Sequence, residues 1–415
     1  MNTGLVRYLV AATLVRGADA GAVVGLVLLA IDPDRRERAG PAIGGLLAAA
    51  LSAPHLLGPW IAHRLDRVRD GRGLLAASYL GYGVALAIGT LTVGRAPAAV
   101  AIVAVAVAGA CGPLLTGGLS SRLAGIVGPG EREQRRAQGW DAMTYGLGGT
   151  VGPAVVAGLS SVTGPQTALL GLALAAAVGA ALTVTLPAAP PGASPPEQPV
   201  TSVGSGLALL VTSGPLRRVT TLTMLNALGA GTLPLAAVAL GLTLAGRAGA
   251  GATLTTAVGI GSLAGSLLVT AVPLRGDPDR RARELFAALV VVTVGCALAS
   301  TFALALVGFA AIGAAQAIAF TATLAARSAY APASARAQVF ITSAGLKVAM
   351  QSAGAALAGV GIGAGLGGRS LLLAAAALAG AGVLVAAMDA VRETRRAARR
   401  SPRRSPASAD PRCAD

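Results

Sequence analysis

Apolar and small residues run along this chain in blocks of about twenty, the length a helix needs to cross a bilayer, and short polar or Gly/Pro-containing segments separate the blocks. The first half carries six, Leu5–Ile31, Ala42–Ile61, Leu74–Val93, Ala98–Leu119, Trp140–Leu159 and Thr167–Leu186. The second carries six more, Val219–Leu240, Ala252–Val272, Ala282–Ala299, Phe302–Leu324, Val339–Ile362 and Ser370–Met388. The ninth and tenth form one run without a clear polar break and are divided near Ser300-Thr301 on length alone. Lipid offers the backbone no hydrogen-bond partners, so each block must satisfy its own, which selects helices. The pattern predicts an all-α membrane protein of twelve transmembrane helices in two six-helix bundles.

Between the halves, Pro187 to Gly206 holds Pro190-Pro191, Pro195-Pro196 and several Ser and Gly, and reads as a flexible linker. The predicted division is an N-terminal bundle over 1–186, a cytoplasmic linker over 187–206, a C-terminal bundle over 207–390 and a basic tail over 391–415. The tail is Arg-rich and then Ser/Pro/Ala-rich, a composition expected to be disordered. The halves echo each other. Arg136-Ala137-Gln138 opens one apolar run, and Arg336-Ala337-Gln338 opens another 200 positions later (336 − 136 = 200).

Composition agrees with the pattern. Of 415 residues, 54% are hydrophobic and 12% charged, where a soluble globule has about a quarter charged. The 57 glycines suit close packing between transmembrane helices. The three cysteines, Cys111, Cys296 and Cys413, make no disulfide framework. The net charge of +16 does not indicate nucleic acid, because the arginines lie between apolar runs and aromatics are only 3%. With the N-terminus in the cytoplasm, about 25 of the 33 basic residues fall on the cytoplasmic side. An even number of spans in the inner membrane with both termini inside follows, with anionic lipid headgroups as partners of the basic loops and tail.

Charge inside the spans carries the candidate chemistry. Lys347, the only lysine, stands about nine residues into the eleventh span, roughly 13 Å deep on a helix. Arg16 and Asp19 in the first span are three apart and share a helix face, so they can pair. Two readings of them stand side by side. Asp19 is a proton-coupling site with Arg16 and Lys347 as neighbouring cations, or Arg16 and Asp19 form a static pair joining helices. Lys347 faces a central cavity or snorkels to the surface. Asn226, Gln316, Gln351 and His55 are the uncharged candidates for a cavity lining; Gln351 lies one helical turn beyond Lys347. Gly229, Gly231 and Pro234 crowd one stretch and predict a bend in span seven. No metal-ligand cluster, phosphate-binding loop or nucleophile–base arrangement is present in the sequence, so no cofactor is expected and transport driven directly by ATP is not.

The layout of six spans, linker and six spans, with Asp66-Arg67 and Gly71-Arg72 after span two and Gly148-Gly149-Thr150-Val151-Gly152-Pro153 in span five, resembles the major facilitator superfamily, particularly its actinobacterial drug-exporter-like members. The resemblance covers Leu5 to Met388. The loop departs from the family form Gly-x-x-x-Asp-Arg-x-Gly-Arg by two extra residues and by Ala62 in place of the leading glycine. It implies a gating latch involving Asp66 and Arg72, echoed by the loop Pro273 to Arg283 with Asp277 and Asp279. Gly148, Gly152 and Pro153 resemble the core of the motif associated with antiporters. Family antiporters often carry a buried arginine in the fourth span, and Ala98–Leu119 has no charge. The resemblance implies a monomeric secondary transporter, with proton-coupled efflux of a small amphiphilic or hydrophobic compound favoured. An importer or facilitator of a polar solute and a non-transporting scaffold or sensor are the alternatives.

Overall fold

The computed structural model describes residues 3–30, 32, 40–58, 60–61, 65, 68, 70–127, 130–187, 203–246 and 250–400. In the first half, α1 spans Thr3–Ala30, and α2 spans Gly40–Ser52 and continues as the 3-10 turn Ala53–Leu57. Next come α3 at Arg72–Thr92, α4 at Ala98–Ile126, α5 at Glu131–Thr163 and α6 at Pro165–Val184. In the second half, α7 spans Gly214–Ala245, α8 Ala250–Ala271 and α9 Pro278–Ala297. They are followed by α10 at Phe302–Tyr330, α11 at Arg336–Gly363 and α12 at Gly368–Arg400. Nine helices among the described residues are long and apolar enough to cross a membrane. The other three long segments fall short for local reasons: α2 is brief, the charge-free part of α5 beyond Asp141 is diluted by glycine, serine and threonine, and α9 opens on a charged turn containing Asp279.

The unbroken apolar run of the ninth and tenth spans does divide where length alone placed the break. Helix α9 ends at Ala297, and the Thr301 side chain accepts from the Leu304 N–H to start α10. Span seven breaks where glycine was densest. One helix stops at Ala230, and another starts at Leu233, with exposed Pro234 in its first turn. Gly231 lets α7 meet the Gln351 carbonyl of α11, since a Cβ there would lie 2.1 Å from that oxygen.

Buried apolar side chains gather into two main cores. One holds Tyr8, Leu26, Tyr79, Tyr82 and Leu115 from the first six helices, and the other Val219, Phe286, Phe309 and Leu372 from the last six. Ala337 and Ile341 at the start of α11 belong to the first core, so this helix reaches across. The halves meet where α11 packs on α2 and α4, and where α5 packs on α8 and α10. These contacts lie toward the arginine-rich loops, where the Arg135 guanidinium donates to the Gly276 carbonyl at 3.4 Å. Toward the other end of the same helices, Val155 and Leu159 of α5 and Leu357 and Val360 of α11 are exposed.

Within the first half, α1 and α5 cross at glycine. A Cβ on Gly152 would stand 2.3 Å from the Gly17 carbonyl oxygen and 2.9 Å from its Cα, and one on Gly148 would meet Arg16. Backbone faces backbone, so no side chain can yield. Helix α5 runs unbroken through Pro153, whose ring is accommodated within it. We expect Gly152→Val to cost about 1–3 kcal/mol or more by overpacking. A lower melting temperature and a smaller monodisperse fraction in detergent would show it; an unchanged melting curve would mean that the crossing is looser than drawn.

The structure describes only part of the loops, linker and tail. Asp66 and Arg67 lie outside the described residues, and Arg72 pairs with Asp70 at 2.6 Å. That hydrogen bonding holds the Asp70 carboxyl below its usual range. Arg72 also donates to the Leu186 carbonyl at 2.6 Å, which ties α3 to the end of α6 inside one half. Gly71 packs on Arg122, whose guanidinium donates to the Leu65 carbonyl at 3.2 Å. The described part of this loop therefore staples its own half. In the second half, Arg218 joins Asp279 at 2.8 Å, Asp389 at 3.3 Å and Glu393, and Arg217 joins Asp389 at 2.7 Å. These pairs hold α12 on α7 and α9 beyond Val391, so 391–400 are helical where a disordered tail was expected; 401–415 lie outside the described residues. Residues 188–202 of the expected linker also lie outside them, and 203–206 begin the short helix Val203–Thr212.

Candidate functional site

A cavity of about 260 Å³ lies between the halves, lined from α1, α4, α5, α10 and α11. Its floor forms because α4 cannot keep regular helical bonding. Pro113 has no N–H to give, and a π turn follows over Leu114–Gly118. At this widened turn the Thr116 carbonyl accepts from Arg16 at 3.0 Å and from the Tyr145 hydroxyl at 2.5 Å.

Arg16 is the centre of a polar cluster. Its guanidinium donates to Asp141 Oδ1 at 2.8 Å, to Ser120 Oγ at 2.8 Å and to Thr144 Oγ1. Asp141 is filled in turn by the Tyr8 hydroxyl at 2.6 Å and the Ser120 hydroxyl at 2.7 Å. The Tyr145 ring lies 3.6 Å from Arg16 Cζ and closes the guanidinium's remaining face. A buried pair this thoroughly hydrogen-bonded offsets much of its desolvation cost.

The expected partnership of Arg16 with Asp19 does not form. The two are three apart on α1, but Asp141 on α5 takes the guanidinium, and Asp19 turns to His55, with Nε2 3.5 Å from Oδ2. Asp19 Oδ1 and His55 Nδ1 have no hydrogen-bond partner. His55 sits at the end of α2, almost wholly buried and outside the cavity lining, so its place is behind Asp19 and not on the cavity wall.

Lys347 and Gln351 on α11 both line the cavity, as do Arg16 and Asp19. The Lys347 ammonium lies 4.4 Å from the Phe320 ring centre and 5.9 Å from that of Tyr145, so it faces inward and does not reach for a surface. Tyr145 and Phe320 touch edge to face at 5.0 Å, joining α5 of one half to α10 of the other. Gln316 and Asn226 are half-buried and lie outside the lining. Gln316 is one turn before Phe320 on α10, and Asn226 three residues past Thr223 on α7.

The residues that sequence reasoning passed over are Asp141, Tyr145, Phe320 and Arg327. Asp141 and Arg327 sat at span ends, where charge reads as loop. Arg327, three residues past the expected end of span ten, is buried, lines the cavity and donates to Thr223 Oγ1 at 2.9 Å. The expected fourth span carries no charge of its own, and α1 supplies a guanidinium that bonds Thr116 and Ser120 of α4.

No family model and no curated protein matches this sequence. Solved structures do match its shape. A structure of the human organic anion transporter MFSD10 (TETRAN) aligns with a TM-score of 0.73 at 15% identity, covering 93% of this chain and 100% of that one. The major facilitator superfamily transporter FucP in an outward conformation aligns at 0.67 and 14%, covering 92% and 98%. The proton:xylose symporter XylE aligns at 0.68 and 13%, covering 92% and 94%.

Proposed function

We propose that this chain, which has the fold of the major facilitator superfamily, is a secondary transporter that moves a small molecule by alternating access. The cavity between the two halves carries the reading: polar and charged side chains from α1, α10 and α11 converge there, and the halves close over it at the arginine-rich end. Rocking the halves about such a site would expose it to each side in turn. Major facilitator structures that share this architecture include two proton symporters and an organic anion transporter, as named for those proteins. The division into bundles over 1–186 and 207–390 is supported by the two apolar cores.

Within that reading, the direction is efflux of an amphiphilic compound, driven by protons taken up at Asp19. The pair of Asp19 and His55 supports this: both can bind a proton, they face each other at 3.5 Å, and Asp19 also lines the cavity with Arg16 and Lys347 as charged neighbours. Protonating Asp19 would free His55 and alter the field felt by a substrate. The inner membrane is the setting, and the arginine-rich loops face the cytoplasm and its anionic lipids.

Asp19→Asn tests the coupling. In proteoliposomes, the variant is expected to lose accumulation driven by an imposed pH gradient, down to the level of empty vesicles, while keeping substrate exchange without a gradient. Full gradient-driven accumulation by Asp19→Asn would end the assignment of Asp19 as the coupling residue.

A further inference from the structure

The cavity holds more positive charge than its own carboxylates neutralise. Asp141 is committed to Arg16, Tyr8 and Ser120, and Asp19 lies against His55. That leaves Arg327 and Lys347. Among the described residues, neither has an ion-pair partner. Arg327 is 3% exposed; one nitrogen donates to Thr223 Oγ1, and Nε has no partner at all. Lys347 meets only the faces of Phe320 and Tyr145. They come from adjoining helices of the same half, α10 and α11, and both line the cavity.

A buried cation without a counter-charge costs several kcal/mol, and that cost falls on Arg327; Lys347, half-buried against the same chamber, adds a second unpaired positive charge to it. A cationic amphiphile would meet like charge there, and a neutral one would leave both cations uncompensated. An anion would satisfy them. Much of the remaining wall is apolar, with Phe320, Leu324, Phe340 and Val348, and Thr116, Tyr145 and Gln351 add uncharged polar groups. Resting on the transporter reading above, we infer that the cavity selects an amphiphilic organic anion. Its carboxylate- or sulfonate-type head lies between Arg327 and Lys347, and its apolar body lies against Phe320, Leu324 and Phe340. A volume of about 260 Å³ suits a compact body such as a fused pair of aromatic rings.

The test uses three probes with one naphthalene body: naphthalene-1-sulfonate, naphthalene-1-sulfonamide and a naphthylmethyl-trimethylammonium ion. The sulfonate stays charged across the working pH range, so its own protonation does not enter. Binding to the purified full chain is measured by equilibrium dialysis, and flux by counterflow in proteoliposomes. The sulfonate is expected to bind in preference to both others. Lys347→Gln and Arg327→Gln should each weaken it by about 30-fold or more and leave the sulfonamide unchanged, as for removal of one partner from a buried charge pair. Lys347→Arg should retain sulfonate binding, which separates charge from folding, and melting curves of each variant check the fold. Equal affinity for sulfonate and sulfonamide, preference for the ammonium ion, binding of none of the three, or sulfonate binding indifferent to both charge removals would overturn the inference. Flux separates the two readings. Selective counterflow of the ammonium ion keeps the transporter and discards the anion site, whereas charge-selective sulfonate binding without any flux keeps the site and discards the transporter.

Discussion

Asp141→Asn, a change behind the cavity wall at the carboxylate that holds Arg16, is expected to cost about 3–5 kcal/mol, more than a single change to any lining residue. The carboxylate is 1% exposed and accepts from Arg16, Tyr8 and Ser120. An amide of the same shape keeps the volume and removes the charge, and its NH2 would point at donors. Arg16 would then be a 3%-exposed guanidinium with no counter-charge. Tyr145 and the Thr116 carbonyl, which Arg16 holds in place, would lose their anchor, so transport should be abolished in whatever protein folds. Pairing the change with Arg16→Gln removes the stranded charge and should recover much of the melting temperature without restoring transport. If Asp141→Asn alone melts with the unmodified protein, the cluster is not the charge-dependent joint between α1, α4 and α5 described here.

Nearly all of the fold could be read along the chain, and the site only in part. Spans were legible because a bilayer imposes one length and one polarity on every crossing, and even the Ser300-Thr301 division falls at the start of α10. Lys347, Asp19 and Arg16 stood out because charge in mid-span is rare, and all three line the cavity. Pairing could not be read the same way. Spacing on one helix favours Arg16 with Asp19, but the partner that wins comes from 125 residues away, and nothing in a local pattern marks Asp141 as facing α1. Asp141 and Arg327 were hidden by position: near a span end a charge looks solvated, and only packing between helices buries it. The offset of 200 between the Arg-Ala-Gln triplets held a spatial hint, since Gln138 and Gln338 are both buried near the arginine-rich ends of α5 and α11, the helices that join the halves.

Those joints lead to the second large effect. Gly117→Leu is expected to turn the protein over, exposing the cavity at the arginine-rich end in place of the opposite one. Gly117 lies in the π turn of α4, and a Cβ there would fall 2.7 Å from Ile341 Cα, 2.9 Å from its nitrogen and 2.9 Å from the Phe340 carbonyl oxygen. The clash is with the backbone of α11, across the boundary between the halves. Gly152 offers the contrast, because its crossing with Gly17 lies inside one half and has no second arrangement to escape to. At Gly117 the strain can be relieved by parting the halves, which is the motion that alternating access already requires. Overpacking of about 1–3 kcal/mol would shift the ratio of the two states by about 5- to 150-fold. The readout is a cysteine at Ala344, a cavity-lining position on α11, in a background with Cys111, Cys296 and Cys413 replaced by serine or alanine. Beside native Gly117, a membrane-impermeant thiol reagent should reach that cysteine from the side opposite the arginine-rich loops. With Gly117→Leu, labelling should come from the side of those loops, and gradient-driven transport should fall because the return stroke is blocked. Labelling from an unchanged side, accompanied only by a lower melting temperature, would mean that the α4–α11 contact is static packing and that the halves do not part there.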